Sequence, residues 1–134
     1  EAALRAADWL RGLVPDGGAS WMLTRLVGKA RAMQMVMLGE RIHADQAEQW
    51  GLIYKAVDDD ALAGEARALA ARLAAGPTVA LGLMRRGLVA AMESDYASAL
   101  AAEAADQRSA GNSADAVEGA LSFLQKRKPA FKGA

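Results

Sequence analysis

Gly12-Leu13-Val14-Pro15-Asp16-Gly17-Gly18 joins a short apolar pair, Leu13-Val14, to an expected helix. That helix is predicted over residues 17–26, through Ser20-Trp21-Met22-Leu23. Pro15 has a fixed φ and no amide hydrogen, which suits a helix entry. Asp16 then falls at the cap, where a carboxylate can accept the first unpaired amides of the helix. Gly17 and Gly18 carry no side chains and let another group come close to the helix start. Two readings of Asp16 stand side by side. It is an ordinary N-cap, or it is an acid/base group at a glycine-lined mouth.

The composition narrows the possibilities. A chain of 134 residues can bury the core of one domain. Hydrophobic residues make up 53%, but alanine dominates them and aromatics are only 5%, which favours packed helices over a β-sandwich. Lys plus Arg and Asp plus Glu number 16 each, so no net field draws the protein to nucleic acid or to a membrane surface. With no Cys there is no disulfide, no thiolate nucleophile and no cysteine metal site. A single His excludes a histidine-rich metal site. No apolar run has the length of a bilayer span, and no charged-then-apolar leader opens the sequence. The expectation is a soluble, cytoplasmic protein without a metal.

Further along, residues 1–11 read as a short helix with Leu4, Ala7, Trp9 and Leu10 apolar, and its uncapped start suggests the interior of a longer pattern. Gly28 ends the 17–26 helix, a second is predicted over 29–38, and Gly39 stops it. Met22, Met33, Met35 and Met37 read as core filler, or as an adaptable ligand wall. His43 or Asp45 caps a short helix over 44–50, closed by Gly51; His43 is taken as a surface cap. Residues 52–57, Leu-Ile-Tyr-Lys-Ala-Val, form the one strand candidate. Asp58-Asp59-Asp60 fits a helix N-terminus better than a metal cluster, since the spacing of a calcium loop is missing.

Four more helices are expected. Leu62, Ala66, Leu69 and Leu73 share one apolar face, and Leu81, Met84, Leu88 and Met92 another, with Gly76-Pro77 between them. Gly82 and Gly87 weaken the second helix and suggest close approaches. Arg85-Arg86 reads as a solvated face. A helix opened by Glu93-Ser94-Asp95 points Tyr96, Leu100 and Ala104 inward. Ser113 caps the last helix, whose face holds Val117, Leu121 and Leu124. Phe123 and the cations of Lys126-Arg127-Lys128 could take an aromatic ring and a phosphate, or simply answer the helix dipole.

Four pieces in order carry a family resemblance. They are Gly-Leu-Val-Pro-Asp-Gly-Gly-Ala-Ser-Trp at 12–21, Leu-Val-Gly-Lys-Ala-Arg-Ala-Met at 26–33, Leu-Gly-Glu-Arg-Ile-His-Ala-Asp-Gln-Ala-Glu-Gln-Trp-Gly-Leu-Ile at 38–53, and Gly-Ala-Leu-Ser-Phe-Leu-Gln-Lys-Arg-Lys-Pro-Ala-Phe-Lys-Gly at 119–133. Their order and spacing resemble the C-terminal half of the crotonase superfamily, the enoyl-CoA hydratases and isomerases. The sequence looks most like the branch of phenylacetate-pathway ring-epoxide acyl-CoA isomerases.

The resemblance implies a mainly α chain with one short strand, the helical C-terminal region of a crotonase-like α/β fold without its N-terminal ββα core. Residues 1–57 would end the core, and 58–134 would be a helical oligomerisation region. It implies an acyl-CoA thioester isomerase or hydratase, with Asp16 as proton shuttle. Asp8, seven residues before Pro15, is the second candidate, against an exposed helix carboxylate. Pro15, Gly17 and Trp21 would border the substrate, although Trp21 and Met22 also read as core. Phe123 and Lys126 match the residues that reach a neighbouring subunit's CoA. Coenzyme A is then part of the substrate and no separate cofactor is implied. The assembly would be a homo-oligomer, a trimer or dimer of trimers, with no nucleic-acid or membrane partner.

The family's N-terminal half also supplies two backbone amides that hold the thioester oxygen. Losing one such donor costs about 3–4 kcal/mol in barrier. The expectation is therefore impaired catalysis by these 134 residues alone, whether a cleavage product, a truncated piece or half of a two-piece assembly. The alternative is a non-catalytic helical oligomerisation module.

Overall fold

The computed structural model describes residues 3–4 and 12–134, which divide into two compact units, residues 1–63 and 64–134. Helix dominates both, and each unit is described by itself.

In the first unit, β1 (Ala3–Leu4) pairs antiparallel with β2 (Ile42–His43), Ala3 opposite His43 and Leu4 opposite Ile42. The helix expected over 1–11 is therefore wrong at residues 3–4, where the ladder wins over local propensity. The rest of that stretch, with Asp8, lies outside the described residues. Helix α1 (Ala19–Met33) is broken at Gly28, whose φ of 78° and ψ of 162° belong to a region that only glycine occupies at low cost. A π-helical turn, Gln34–Leu38, follows and ends at Gly39, with φ 61°. Helix α2 (Ala44–Gln49) starts after His43, whose extended backbone sits at the cap while its side chain makes no capping bond.

The core of this unit is Val27, Ala32, Met35, Ile42 and Ala47, packed against Leu23, Trp50, Leu52 and Ile53. Of the four methionines expected there, Met35 is buried while Met22, Met33 and Met37 are exposed. The strand expected over 52–57 does not form. The Leu52 and Ile53 amides turn back to donate to the Ala47 carbonyl at 2.9 and 3.4 Å, and the Ala56 amide donates to Glu48 Oε2 at 2.7 Å. Those bonds close the end of α2 and leave no ladder to build.

The second unit is a run of helices: α3 (Leu62–Ala74, whose first two residues belong to the first unit), α4 (Thr78–Ala91), α5 (Tyr96–Gly111) and α6 (Ala114–Leu124). Ala-rich sequence suits them. Asp95 caps α5 by accepting from the Ser98 amide at 2.9 Å and hydroxyl at 2.8 Å, which lowers its pKa. Ser113 caps α6 by accepting from the Ala116 amide at 3.1 Å. Helices α4 and α5 pack along one another around Leu83. Tyr96, expected inward, is 82% exposed, since the cap at Asp95 starts the helix with that side chain in solvent. Gly82 marks no close approach, because a Cβ there would meet open space. Gly76 does: a Cβ would fall 3.0 Å from Leu81 Cδ1 and 3.2 Å from the Leu73 carbonyl oxygen.

These two kinds of glycine give opposite expectations. Gly28→Ala should destabilise the protein by about 1–3 kcal/mol through backbone strain, although nothing stands within 4 Å of the added methyl. Gly82→Ala, inside α4, should stabilise it by about 1 kcal/mol. Urea denaturation of both variants checks the pair, and the same sign for both would contradict this account.

Candidate functional site

The first candidate locus is the loop 12–18. Gly12, Gly17 and Gly18 all have positive φ, at 68°, 57° and 85°. Two consecutive left-handed residues, Gly17 and Gly18, delay the helix, so α1 begins at Ala19 and Gly18 takes the cap position. No side chain caps it; the Ala19 amide donates to the Asp16 carbonyl at 3.0 Å, and the Trp21 and Met22 amides to the Gly18 carbonyl. The expected capping role of the Asp16 carboxylate is thus corrected. The carboxylate belongs to an exposed residue two positions before the cap, beside half-buried Pro15. Leu13 and Val14 on the same loop are exposed apolar residues.

Trp21, on the first turn of α1, is half-exposed rather than core. Arg25 stacks on it, 3.7 Å from the ring centroid, and its guanidinium donates to the Trp21 carbonyl at 3.2 Å. The indole face is therefore occupied by a cation on one side. Asp16, Pro15, Gly17 and Trp21 are gathered along this loop and helix start; Asp8 lies outside the described residues.

The second locus is the end of α6. The helix closes with the Arg127 amide donating to Ser122 O at 3.0 Å and the Lys126 amide to Phe123 O at 3.2 Å. That bond pair is the Schellman arrangement, which places a left-handed residue after the helix cap. Glycine normally fills that place, yet here it is Lys126, with φ 52°. Among the described residues, Lys126 is the one non-glycine with positive φ. The conformation costs roughly 1–2 kcal/mol for an L-residue. Phe123, 83% exposed, and Lys126 are both turned to solvent around this corner.

The sequence reading missed what holds the corner. Residues 127–134 return along α6 and are fastened by two of its carboxylates. Glu118 accepts both arms of the Arg127 guanidinium, at 2.6 and 2.8 Å, and the Ala130 amide at 2.8 Å. Asp115, 3% exposed, accepts the Lys132 and Gly133 amides at 2.7 and 2.8 Å, and its own amide donates to the Ala134 carbonyl at 2.9 Å. Phe131 packs where Gly119 lacks a side chain. The one signal available was the i, i+3 spacing of Asp115 and Glu118 on a helix otherwise poor in charge.

Helices α4 and α5 also leave an open apolar groove of about 730 Å3, lined by Leu83, Met84, Leu88, Leu100 and Ala104 among others. Gly87 lines it too. Arg86 and Asp106 form a loose ion pair at 3.8 Å. Leu100 and Ala104, expected inward on α5, face this groove instead of a closed core. No described helix is long and apolar enough to cross a membrane.

Comparison with known proteins gives the family. The family model for enoyl-CoA hydratase/isomerase matches residues 1–134. A 1,2-epoxyphenylacetyl-CoA isomerase of Escherichia coli is 45% identical over 122 residues, covering 91% of this chain and 47% of that protein. The mitochondrial enoyl-CoA hydratase of Pongo abelii is 35% identical over 132 residues, covering 98% of this chain and 46% of that protein. A crystal structure of an enoyl-CoA hydratase from a Polaromonas species superposes with a TM-score of 0.92 at 30% identity, over 98% of this chain and 51% of that one. The chain spans about half the length of the relatives it matches.

The Glu118 pair carries a pH expectation. The Arg127 guanidinium, then the Ala130 amide, hold the Glu118 carboxyl down from an ordinary value of 4.5 to about 2. A depressed carboxylate pKa contributes its stability above the ordinary value and loses it as pH falls through the folded one. An NMR titration of Glu118 should therefore show a midpoint near 2, with residues 127–134 loosening as pH falls below 4.5 towards that value. A midpoint at the ordinary value would contradict the pairing.

Proposed function

The chain belongs to the enoyl-CoA hydratase/isomerase family, and from that premise we propose that it serves an acyl-CoA isomerase or hydratase in which Asp16 moves the proton. The observation that carries this is the helix start without a side-chain cap. Capping was the competing explanation for Asp16, and Gly18 holds the cap position instead. What remains is an acidic side chain on an exposed, glycine-lined turn.

The chemistry is balanced within one carboxyl group. A thioester acidifies the carbons conjugated with it. The Asp16 carboxylate takes a proton from one carbon, the electron pair moves into the thioester-conjugated system, and the carboxylic acid returns the proton to another carbon. No redox partner and no metal is needed. Asp8 is the second acid/base group of this reading, for water addition. Pro15, Gly17 and Trp21 border the acyl group.

At the other locus, Lys126 meets a CoA phosphate and Phe123 its adenine ring. Coenzyme A enters as part of the substrate, so no separate cofactor is invoked. The E. coli relative's name, 1,2-epoxyphenylacetyl-CoA isomerase, favours the isomerase branch over the hydratase one.

The second reading, a helical oligomerisation module, is favoured by the apolar surface of residues 64–134. Leu73, Met84, Leu88, Val117, Leu121 and Leu124 are all exposed. Such a surface is costly in water and is covered by association. This module is non-catalytic and so excludes the first reading, in which the enzyme assembles as a homotrimer or a dimer of trimers in the cytoplasm.

Two measurements test these proposals. In an intact parent that carries the family's N-terminal half, Asp16→Asn should lower acyl-CoA isomerisation by about 10²–10⁴-fold and leave acyl-CoA affinity by calorimetry almost unchanged; full turnover in the variant would remove Asp16 from the mechanism. Light scattering on the purified protein should give a trimeric or hexameric mass. A monomer at micromolar concentration would remove the oligomer.

A further inference from the structure

We propose that Glu118 is a positioning residue for the ligand contact made by Lys126, acting through Arg127. The inference rests on the reading of Lys126 as a CoA phosphate contact. Lys126 occupies a backbone conformation that its own side chain disfavours, so something beyond the helix must hold it there. The residue that follows, Arg127, is fastened on three sides. Its guanidinium grips both oxygens of Glu118, its Nε donates to Gln125 Oε1 at 2.6 Å, and its amide closes the turn on Ser122 O. Gln125 and Arg127 thus bracket Lys126 and are tied to one another across it. Glu118 then takes the Ala130 amide, so the chain on the far side of the turn is anchored to the same carboxylate.

A two-point ion pair fixes direction as well as distance. A corner clamped in this way presents the Lys126 ammonium with little backbone freedom left to lose on binding, whereas Phe123 is placed by α6 itself. A glycine in place of Lys126 would make the turn with less strain but would carry no cation. The strained lysine is intelligible as a binding feature, and the Glu118 clamp as what keeps it in place.

Asp115 supplies the control. It fastens the far end of the same return segment, at the Lys132 and Gly133 amides. Loosening that end should lower stability without moving Lys126.

The test uses the whole protein with coenzyme A as the probe, by calorimetry, together with amide hydrogen exchange. Lys126→Ala should weaken coenzyme A by about tenfold. Glu118→Gln should weaken it by a comparable factor and speed exchange at residues 126–130. The double variant should bind no more weakly than Lys126→Ala alone, because the clamp has nothing left to position. Asp115→Asn should speed exchange at 132–133 and keep affinity within about twofold of the parent. Lys126→Gly should raise the melting temperature and still lose affinity. Unchanged affinity in Glu118→Gln, with Lys126→Ala weakened, would overturn the positioning role and spare the parent reading. Fully multiplicative losses in the double variant would do the same. Unchanged affinity in Lys126→Ala, or no binding by the unmodified protein, would overturn the parent reading and this inference with it.

Discussion

Every helix end leaves backbone amides or carbonyls without a partner inside the helix, and these must be answered by something else. This chain answers several of them by ordinary means. Asp95 and Ser113 cap α5 and α6 with side-chain oxygens. Gly39 and Gly51 close the π-helical turn and α2 in left-handed conformations. Two other ends stand beside a charged residue. At the start of α1 the cap is a glycine although an aspartate stands two residues away. At the end of α6 the left-handed place belongs to a lysine. Only at the second is the local rule broken by a charged residue, and both lie in a stretch through which the family resemblance runs.

The two ends differ in what sustains them. At the first, Gly17 and Gly18 absorb the unusual dihedrals, so the loop needs no further support from side chains. At the second, a β-carbon sits in a left-handed conformation, and the cost is met from outside by the Glu118–Arg127 pair and the returning chain. Arg127 is well suited to this, because a planar guanidinium can match both carboxylate oxygens at once, which an ammonium cannot. The buried Asp115 fastens the far end of the returning segment separately, with both carboxylate oxygens bonded to tail amides.

The apolar surface obeys a different constraint. Residues 64–134 bury Leu83, but leave long apolar faces on α3, α4 and α6 uncovered. The same periodicity that marks an amphipathic helix in a sequence marks it whether the face meets its own core or a partner. A formal charge of zero gives no long-range repulsion to oppose association.

Much of the helical framework was legible beforehand because it rests on local rules. Gly28, Gly39, Gly51, Asp95 and Ser113 act where turn and cap chemistry says they should. The family, too, was legible, since four ordered stretches carried it before any coordinates. Errors arose where the deciding partner is distant or is a backbone group. Residues 52–57 have strand composition, yet the Ala47 carbonyl and Glu48 claim their amides. Ala3 and Leu4 stand among helix-favouring residue types but meet His43 and Ile42 in a ladder. Asp16 satisfies the composition of a cap, and only the doubled left-handed glycines moved the helix past it. The fastening of residues 127–134 joins positions 9 to 19 residues apart, beyond any helical period. Periodicity and capping preferences are properties of neighbours along the chain and can be read there. Which carboxylate bonds which amide depends on where the chain returns, and only the folded molecule decides that.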